Sequence, residues 1–241
     1  MPQPIAIVTV RVGSSRLNRK CLMEFGDGNV LEHVLARAIH FGFQPLVATT
    51  DLAEDDIVQT IAADADALCF RGSEKDKLQR WKDACDAFGV KEFHTIDADD
   101  PFFDGALGHD SLTLLRSGYD IVYPSETAYL ASMGYSLTAD VIRRACEIKT
   151  TDDTEMMWYH VEKVPGLKKR TFETPDARLR NVRLTLDYEE DYWLLRSVLR
   201  MVGPTAGWRE IEQLFIDNPR LTDVNWFRNE AWKAGQEAKR V

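Results

Sequence analysis

Three short stretches of this 241-residue chain concentrate side chains able to do chemistry. The first is Arg11-Val12-Gly13-Ser14-Ser15-Arg16-Leu17-Asn18-Arg19-Lys20, which follows the apolar run Ile5-Ala6-Ile7-Val8-Thr9-Val10. It holds four cations and a Gly-Ser-Ser turn, in a chain whose net charge is −9. A β-branched strand feeding a small-residue loop brings backbone N–H groups up to a phosphate. Arginine and lysine then neutralise further phosphate oxygens. The chemistry expected here is binding of a nucleoside triphosphate, with a solvated basic loop as the plainer alternative.

The second stretch is His94-Thr95-Ile96-Asp97-Ala98-Asp99-Asp100-Pro101-Phe102-Phe103-Asp104. A strand pattern ends, and Asp97, Asp99 and Asp100 follow at once. Their repulsion is costly unless a cation compensates it. Magnesium suits such ligands, commonly taking one or two carboxylates plus phosphate oxygens. A polar turn with a capping Asp is the alternative. The third stretch is Arg183-Leu184-Thr185-Leu186-Asp187-Tyr188-Glu189-Glu190-Asp191. Read alone, Asp187 is a helix N-cap followed by acidic residues. An N-cap carboxylate keeps a second oxygen free, so a metal role is compatible. Carboxylates at two predicted strand ends keep the metal reading open beside the capping one.

These stretches must be positioned by the elements between them. Strand patterns at 5–10, 46–49, 67–70, 92–96 and 120–123 alternate with helical periodicity at 30–40, 54–64, 76–88 and 107–117. Such alternation with short connections implies right-handed crossovers, a largely parallel central sheet and an α/β fold with flanking helices. Ligands of open α/β sheets lie beyond the carboxyl ends of the strands, which places all three stretches on one edge. Further along, 137–148 and 154–161 read as helices, 168–172 and 183–186 as extended, and 189–201 and 208–216 as amphipathic helices. One domain over 1–241 is expected, with 125–176 an excursion from the sheet.

Hydrophobic content of 44% with 29% charged residues fits a soluble globular chain. The acidic balance argues against nucleic acid or an anionic membrane as partner. Cys21, Cys69, Cys85 and Cys146 form no CxxC pair and read as reduced thiols, not a zinc site. No secretion signal and no membrane-length apolar stretch is expected, hence a cytoplasmic location.

The string R-x-G-S-S-R-L-x-x-K resembles the opening signature of the cytidylyltransferase family that activates acidic sugars. That family includes the CMP-Kdo and CMP-sialic acid synthetases and the spore coat polysaccharide biosynthesis protein F group, which is the nearest match. The resemblance implies a nucleotide-diphospho-sugar transferase (Rossmann-like) fold, CTP as substrate and magnesium as cofactor. Arg11, Gly13, Ser14, Ser15, Arg16 and Lys20 would hold the triphosphate. Asp99 corresponds to the metal-binding residue of the family's Gly-Asp-x-Pro, with Ala98 replacing the glycine, and Asp97 or Asp100 takes its place if the register differs. Asp187 matches the family's R-L-T-V-D-T-P-E-D. Arg71-Gly72-Ser73-Glu74-Lys75-Asp76-Lys77-Leu78-Gln79-Arg80-Trp81 is similar to R-G-S-E-x-D-V-L-x-R-Y, which puts Ser73 and Arg80 beside the nucleotide, although Ser73 and Asp76 also make a plain helix start.

Departures fall at Asn18-Arg19, where the family usually has Pro-Gly, and at Tyr135-Ser136, where it has an acidic residue. Of an R-E-H string, only Glu155 matches in Thr154-Glu155-Met156. The expected reaction is CMP transfer from CTP to an acidic sugar or related anionic acceptor, with pyrophosphate released. Arg16, Lys20, Asp99 and Asp187 are its catalytic candidates, and Lys168, Lys169, Arg170 and Arg178 are candidate acceptor contacts. Met156-Met157-Trp158-Tyr159 reads as a core or interface stripe, and His160 as structural. A homodimer formed through 125–176, with Tyr129, Met133 and Tyr135 among its apolar residues, is implied. The alternatives are a metal-dependent glycosyltransferase using a nucleotide sugar and an inactive nucleotide-binding protein.

Overall fold

The computed structural model describes residues 2–14, 16–125, 133–174, 178–179 and 181–237. Strand β1 (Ile5–Thr9) is followed by the basic loop, a 3-10 turn at Lys20–Leu22, and a small hairpin of β2 (Glu24–Phe25) and β3 (Gly28–Asn29). Helix α1 (Val30–His40) then starts where Asn29 accepts from the Glu32 amide at 3.0 Å and Glu32 Oε2 accepts from the Asn29 amide at 2.7 Å. This reciprocal cap satisfies donors that a bare helix end leaves orphaned. The chain continues through β4 (Gln44–Thr50), α2 (Asp56–Asp64), β5 (Leu68–Gly72), α3 (Lys77–Ala87), β6 (Glu92–Asp97), α4 (Gly105–Arg116) and β7 (Ile121–Pro124). Next come β8 (Ser136–Thr138), α5 (Ala139–Ile148), α6 (Met157–Val161), β9 (Lys169–Phe172), α7 (Glu189–Val202), α8 (Trp208–Asp217) and α9 (Arg228–Glu237).

The described residues form a seven-stranded sheet in the order β5-β4-β1-β6-β8-β7-β9. All neighbours are parallel except β8, which runs antiparallel to both β6 and β7. Alternation along β1 sends Ala6 and Val8 to a core beneath α1, α2 and α4, and Ile7 to a core beneath α3, α5 and α6. From β1 the chain crosses to β4, and from β6 it crosses the opposite way, so their carboxyl ends flank a crevice. Both chemical loops leave from that crevice.

A third core joins α7 and α8 through Leu194, Leu195, Val198, Ile211 and Phe215 to Phe25, Val30 and Phe102. It presses the carboxyl-terminal helices against the loop after β6. Three sequence expectations need correction here. Residues 137 and 138, expected to begin the helix 137–148, belong instead to the strand Ser136–Thr138, because Leu137 pairs with both Phe93 and Ile121 and is fully buried between them. The range 125–176, expected to leave the sheet, re-enters it at β8 and β9. Residues 183–186, expected to be extended, join no sheet among the described residues; Leu186 N donates instead to Asp99 O at 2.7 Å.

Candidate active site

The basic loop is anchored from below. Asp55 is fully buried, accepts from the Val12 amide at 2.7 Å and is hydrogen-bonded by Thr50. Arg19 then takes a left-handed conformation at φ 53°, a region that costs most L-residues about 1–2 kcal/mol. The family's glycine at this point would adopt it without that cost. The turn that follows buries Cys21 and projects Lys20 across the crevice.

Lys20 Nζ donates to Asp99 Oδ2 at 2.6 Å, Asp187 Oδ1 at 2.8 Å and the Leu186 carbonyl at 2.8 Å. Burial alone would lower its pKa, but Asp99 and Asp187 outweigh that and raise it. Asp187, buried to 1% exposure, also accepts from Arg16 Nη2 at 2.7 Å. Burial pushes the Asp187 pKa up, yet Lys20 and Arg16 hold it below the ordinary carboxylate range.

The other aspartates have different partners. Asp100 accepts from Thr185 Oγ1 at 2.7 Å, which stitches the two acidic stretches together. Burial, then Asp99 and Asp97, drive its pKa well upward. Asp97 accepts from Lys77 Nζ at 3.4 Å and stands half-exposed. The register that pairs Asp99 with Asp187 is thus the one the fold brings together.

Asp187 is not the helix cap that its sequence context allowed. Tyr188 holds the N-cap position of α7, and the fully buried Asp191 takes the amides of Asp187 and Tyr188, each at 2.9 Å. Arg183, also buried, donates to Asp191 through Nε at 3.0 Å and Nη2 at 3.1 Å, and reaches Asp187 Oδ2 at 3.3 Å. Asn225 Nδ2 adds bonds to Asp191 Oδ1 at 2.8 Å and to the Arg183 carbonyl at 2.9 Å. This network fixes one oxygen of Asp187 and aims the other at Lys20.

The cleft encloses about 510 Å³. Arg11, Gly13, Ser14, Arg16, Lys20, Arg80, Asp99 and Asp187 all line it. Ser15 lies outside the described residues, as does Tyr129. Arg80 is 2% exposed and its Nε has no hydrogen-bond partner among the described residues, while Nη1 holds the Ser73 carbonyl. Burial lowers its pKa. Ser73 itself does not reach the cleft; its Oγ accepts from the Asp76 amide at 3.1 Å and it borders a neighbouring shallow groove.

Residues from the second half complete the wall. Asp76 caps α3 and also binds Lys149 and Thr154, which carries 154–158 to the mouth of the cleft. Glu155 pairs there with Arg11 at 3.3 Å. Trp158 stacks on Tyr135, with ring centroids 3.6 Å apart. Gly134 is what lets Tyr135 reach that position, since a Cβ there would collide with the Thr95 carbonyl. Met156 and Trp158 line the cleft, Trp158 packing at the same time against the core in which Met157 is buried, as expected for part of this stripe.

Lys168, Lys169, Arg170 and Arg178 do not line the cleft: β9 is a sheet edge, and Arg178 bonds to Glu212 and Gln213. His160 is buried with a lowered pKa, away from the cleft lining. Sequence reasoning passed over Lys77, which stands where the family string has valine, and Trp232, whose short carboxyl-terminal helix has weak periodicity. The Lys77 departure was the available signal.

Among the described residues no three His, Cys, Asp or Glu side chains converge as a metal cage. Two hard carboxylates already converge on one positive charge, however, and that donor set fits magnesium completed by phosphate oxygens and water. No described helix is long and apolar enough to cross a membrane.

The chain matches the model of the cytidylyltransferase family over residues 5–170. It is 26% identical over 226 residues to spore coat polysaccharide biosynthesis protein SpsF of Bacillus subtilis (strain 168), spanning 88% of this chain and 94% of that one. A cytidylyltransferase structure from Leptospira borgpetersenii superposes with a TM-score of 0.83 at 24% identity, over 92% of this chain and 97% of the other. CMP:2-keto-3-deoxy-manno-octonic acid synthetase complexed with CTP superposes at 0.65 with 14% identity, over 83% and 99%.

Proposed function

This chain belongs to the cytidylyltransferase family, and from that premise we propose that it transfers CMP from CTP to an acidic sugar or related anionic acceptor. The observation that carries the reading is the convergence of Lys20, Asp99 and Asp187, three residues distant in sequence, on one point of a cleft lined by further cations. An acceptor oxygen attacks the α-phosphorus of CTP, the bond to the bridging oxygen breaks, and pyrophosphate leaves with that electron pair. Arg11, Arg16 and Lys20 neutralise the triphosphate, and the backbone at Gly13 and Ser14 allows its close approach. Asp99 and Asp187 would hold magnesium, which when bound neutralises charge at the reacting phosphate. Most of the rate enhancement comes from such positioning and charge compensation.

The acceptor side is the wall formed by Tyr135, Trp158, Met156 and Lys77. An aromatic platform with an adjacent ammonium supports an acceptor that has an apolar ring face and an anionic group. The homodimer belongs to the same proposal; Met133 and Met157 are spent in the chain's own core, while Tyr159 remains half-exposed. Light scattering at working concentration tests it. The decisive experiment for the reaction is pyrophosphate release by purified protein with each of the four nucleoside triphosphates and a panel of acidic sugars. Release with CTP and an acidic sugar is expected, and equal thermal stabilisation by all four nucleotides would count against the base preference.

A further inference from the structure

Lys20 stands where the two aspartates would share a cation. All three of its ammonium hydrogens are committed, to Asp99, Asp187 and the Leu186 carbonyl. Its side chain is 14% exposed, so the contacts are shielded from water. Arg16 also reaches Asp187 Oδ1, but from a more exposed position and with no bond to Asp99, so among the described residues only Lys20 bridges the pair. A magnesium ion bonding both carboxylates at about 2.0–2.1 Å would compete with that ammonium for the same oxygens.

We propose that Lys20 is the resident counter-ion of the Asp99–Asp187 pair, and that a divalent cation enters only when the triphosphate draws the ammonium away. The inference rests on the cytidylyltransferase reading for the identity of that triphosphate. The ammonium exchanges two carboxylates for phosphate oxygens, and the freed carboxylates take the ion that arrives with the nucleotide. Neither carboxylate is left without a cation before or after the exchange, which lets the two stay close together without metal. The loop supports this motion. Lys20 lies at the start of a short 3-10 turn entered through the strained Arg19, while Asp187 is braced by Arg183 and Asp191 and stays in place.

The test is manganese binding followed by electron paramagnetic resonance, with no acceptor present. Wild-type protein should bind Mn²⁺ weakly alone and at least roughly tenfold more tightly with CTP, beyond the Mn²⁺ held by free CTP. Lys20→Met should bind Mn²⁺ without CTP roughly 10- to 100-fold more tightly than wild type, the range set by one charge-assisted hydrogen bond. Lys20→Arg should remain blocked, and Lys20→Met/Asp187→Asn should lose the gain. Equal affinity of wild type and Lys20→Met for Mn²⁺ alone would overturn the proposal, as would no binding by either. Should Lys20→Met fail to fold, the wild-type comparison decides alone: affinity independent of CTP overturns the exchange. Failure of CTP to bind wild-type protein in calorimetry would instead strike the nucleotide reading, leaving the comparison of the two proteins in Mn²⁺ alone intact.

Discussion

Replacing Asp191 by Asn tests whether the carboxyl-terminal helices brace the site. Asp191 is fully buried and takes five donors: Arg183 Nε and Asn225 Nδ2 on one oxygen, and Arg183 Nη2 with the amides of Asp187 and Tyr188 on the other. An amide keeps one oxygen and turns two N–H bonds toward groups that are themselves donors. It also leaves the Arg183 guanidinium, 1% exposed, with Asp187 at 3.3 Å as its remaining carboxylate among the bonds described here. Removing one partner of a buried pair costs roughly 3–5 kcal/mol. That is a large part of the roughly 5–15 kcal/mol that holds a domain folded. At about 2–4 °C per kcal/mol for a chain of this size, the midpoint should fall by roughly 6–20 °C. Asn225→Ala removes a neutral donor from the same network and should cost only about 1–3 kcal/mol. Thermal unfolding by circular dichroism at neutral pH, without metal or nucleotide, measures both. A midpoint for Asp191→Asn within about 1 °C of wild type, or a loss smaller than that of Asn225→Ala, would refute the bracing argument.

Asp99→Asn and Asp187→Asn should each abolish pyrophosphate release while far-ultraviolet circular dichroism stays unchanged; full activity in either, with magnesium still required, would move the metal site elsewhere. Burial holds the His33 pKa down to about 4 and that of His94 to about 3. Both lie below the unfolded value of about 6.5, so the unfolded chain takes up protons first as pH falls. Stability should therefore drop from about pH 6.5 towards 4, by up to about 1.4 kcal/mol per pH unit for each histidine. Asp99 and Asp100, displaced upward, act in the opposite sense. Comparing the pH slope of denaturant midpoints in wild type and His33→Gln isolates one histidine, and identical slopes would sink the assignment. Gly134→Ala should cost about 1–3 kcal/mol through overlap with Thr95 and should alter the near-ultraviolet signal of the Tyr135–Trp158 stack, and a variant matching wild type in both would show that the 133–135 segment can give way.

Much of the first half could be read from local sequence, because its signals are local. The helix at Val30–His40 was legible from its apolar period, whereas the cap that Asn29 and Glu32 form at its start was not read from the sequence. The carboxyl ends of β1 and β6 were legible as the places where apolar runs give way to charge, and strand alternation with helices implied the parallel sheet. The types and spacing in R-x-G-S-S-R-L-x-x-K carried the family resemblance, which the match over residues 5–170 bears out. Tertiary structure decided which carboxylate faces which cation. Asp97, Asp99 and Asp100 are almost interchangeable in sequence, yet one meets Lys77, one Lys20 and one Thr185, because each points differently from a single turn. It also decided that Asp187 is a braced carboxylate rather than a cap, since Arg183, Asp191 and Asn225 meet only when the carboxyl-terminal helices pack. The short strand β8 escaped local reading for the same reason: three residues carry too little period to announce a strand, and only the slot between β6 and β7 makes them one.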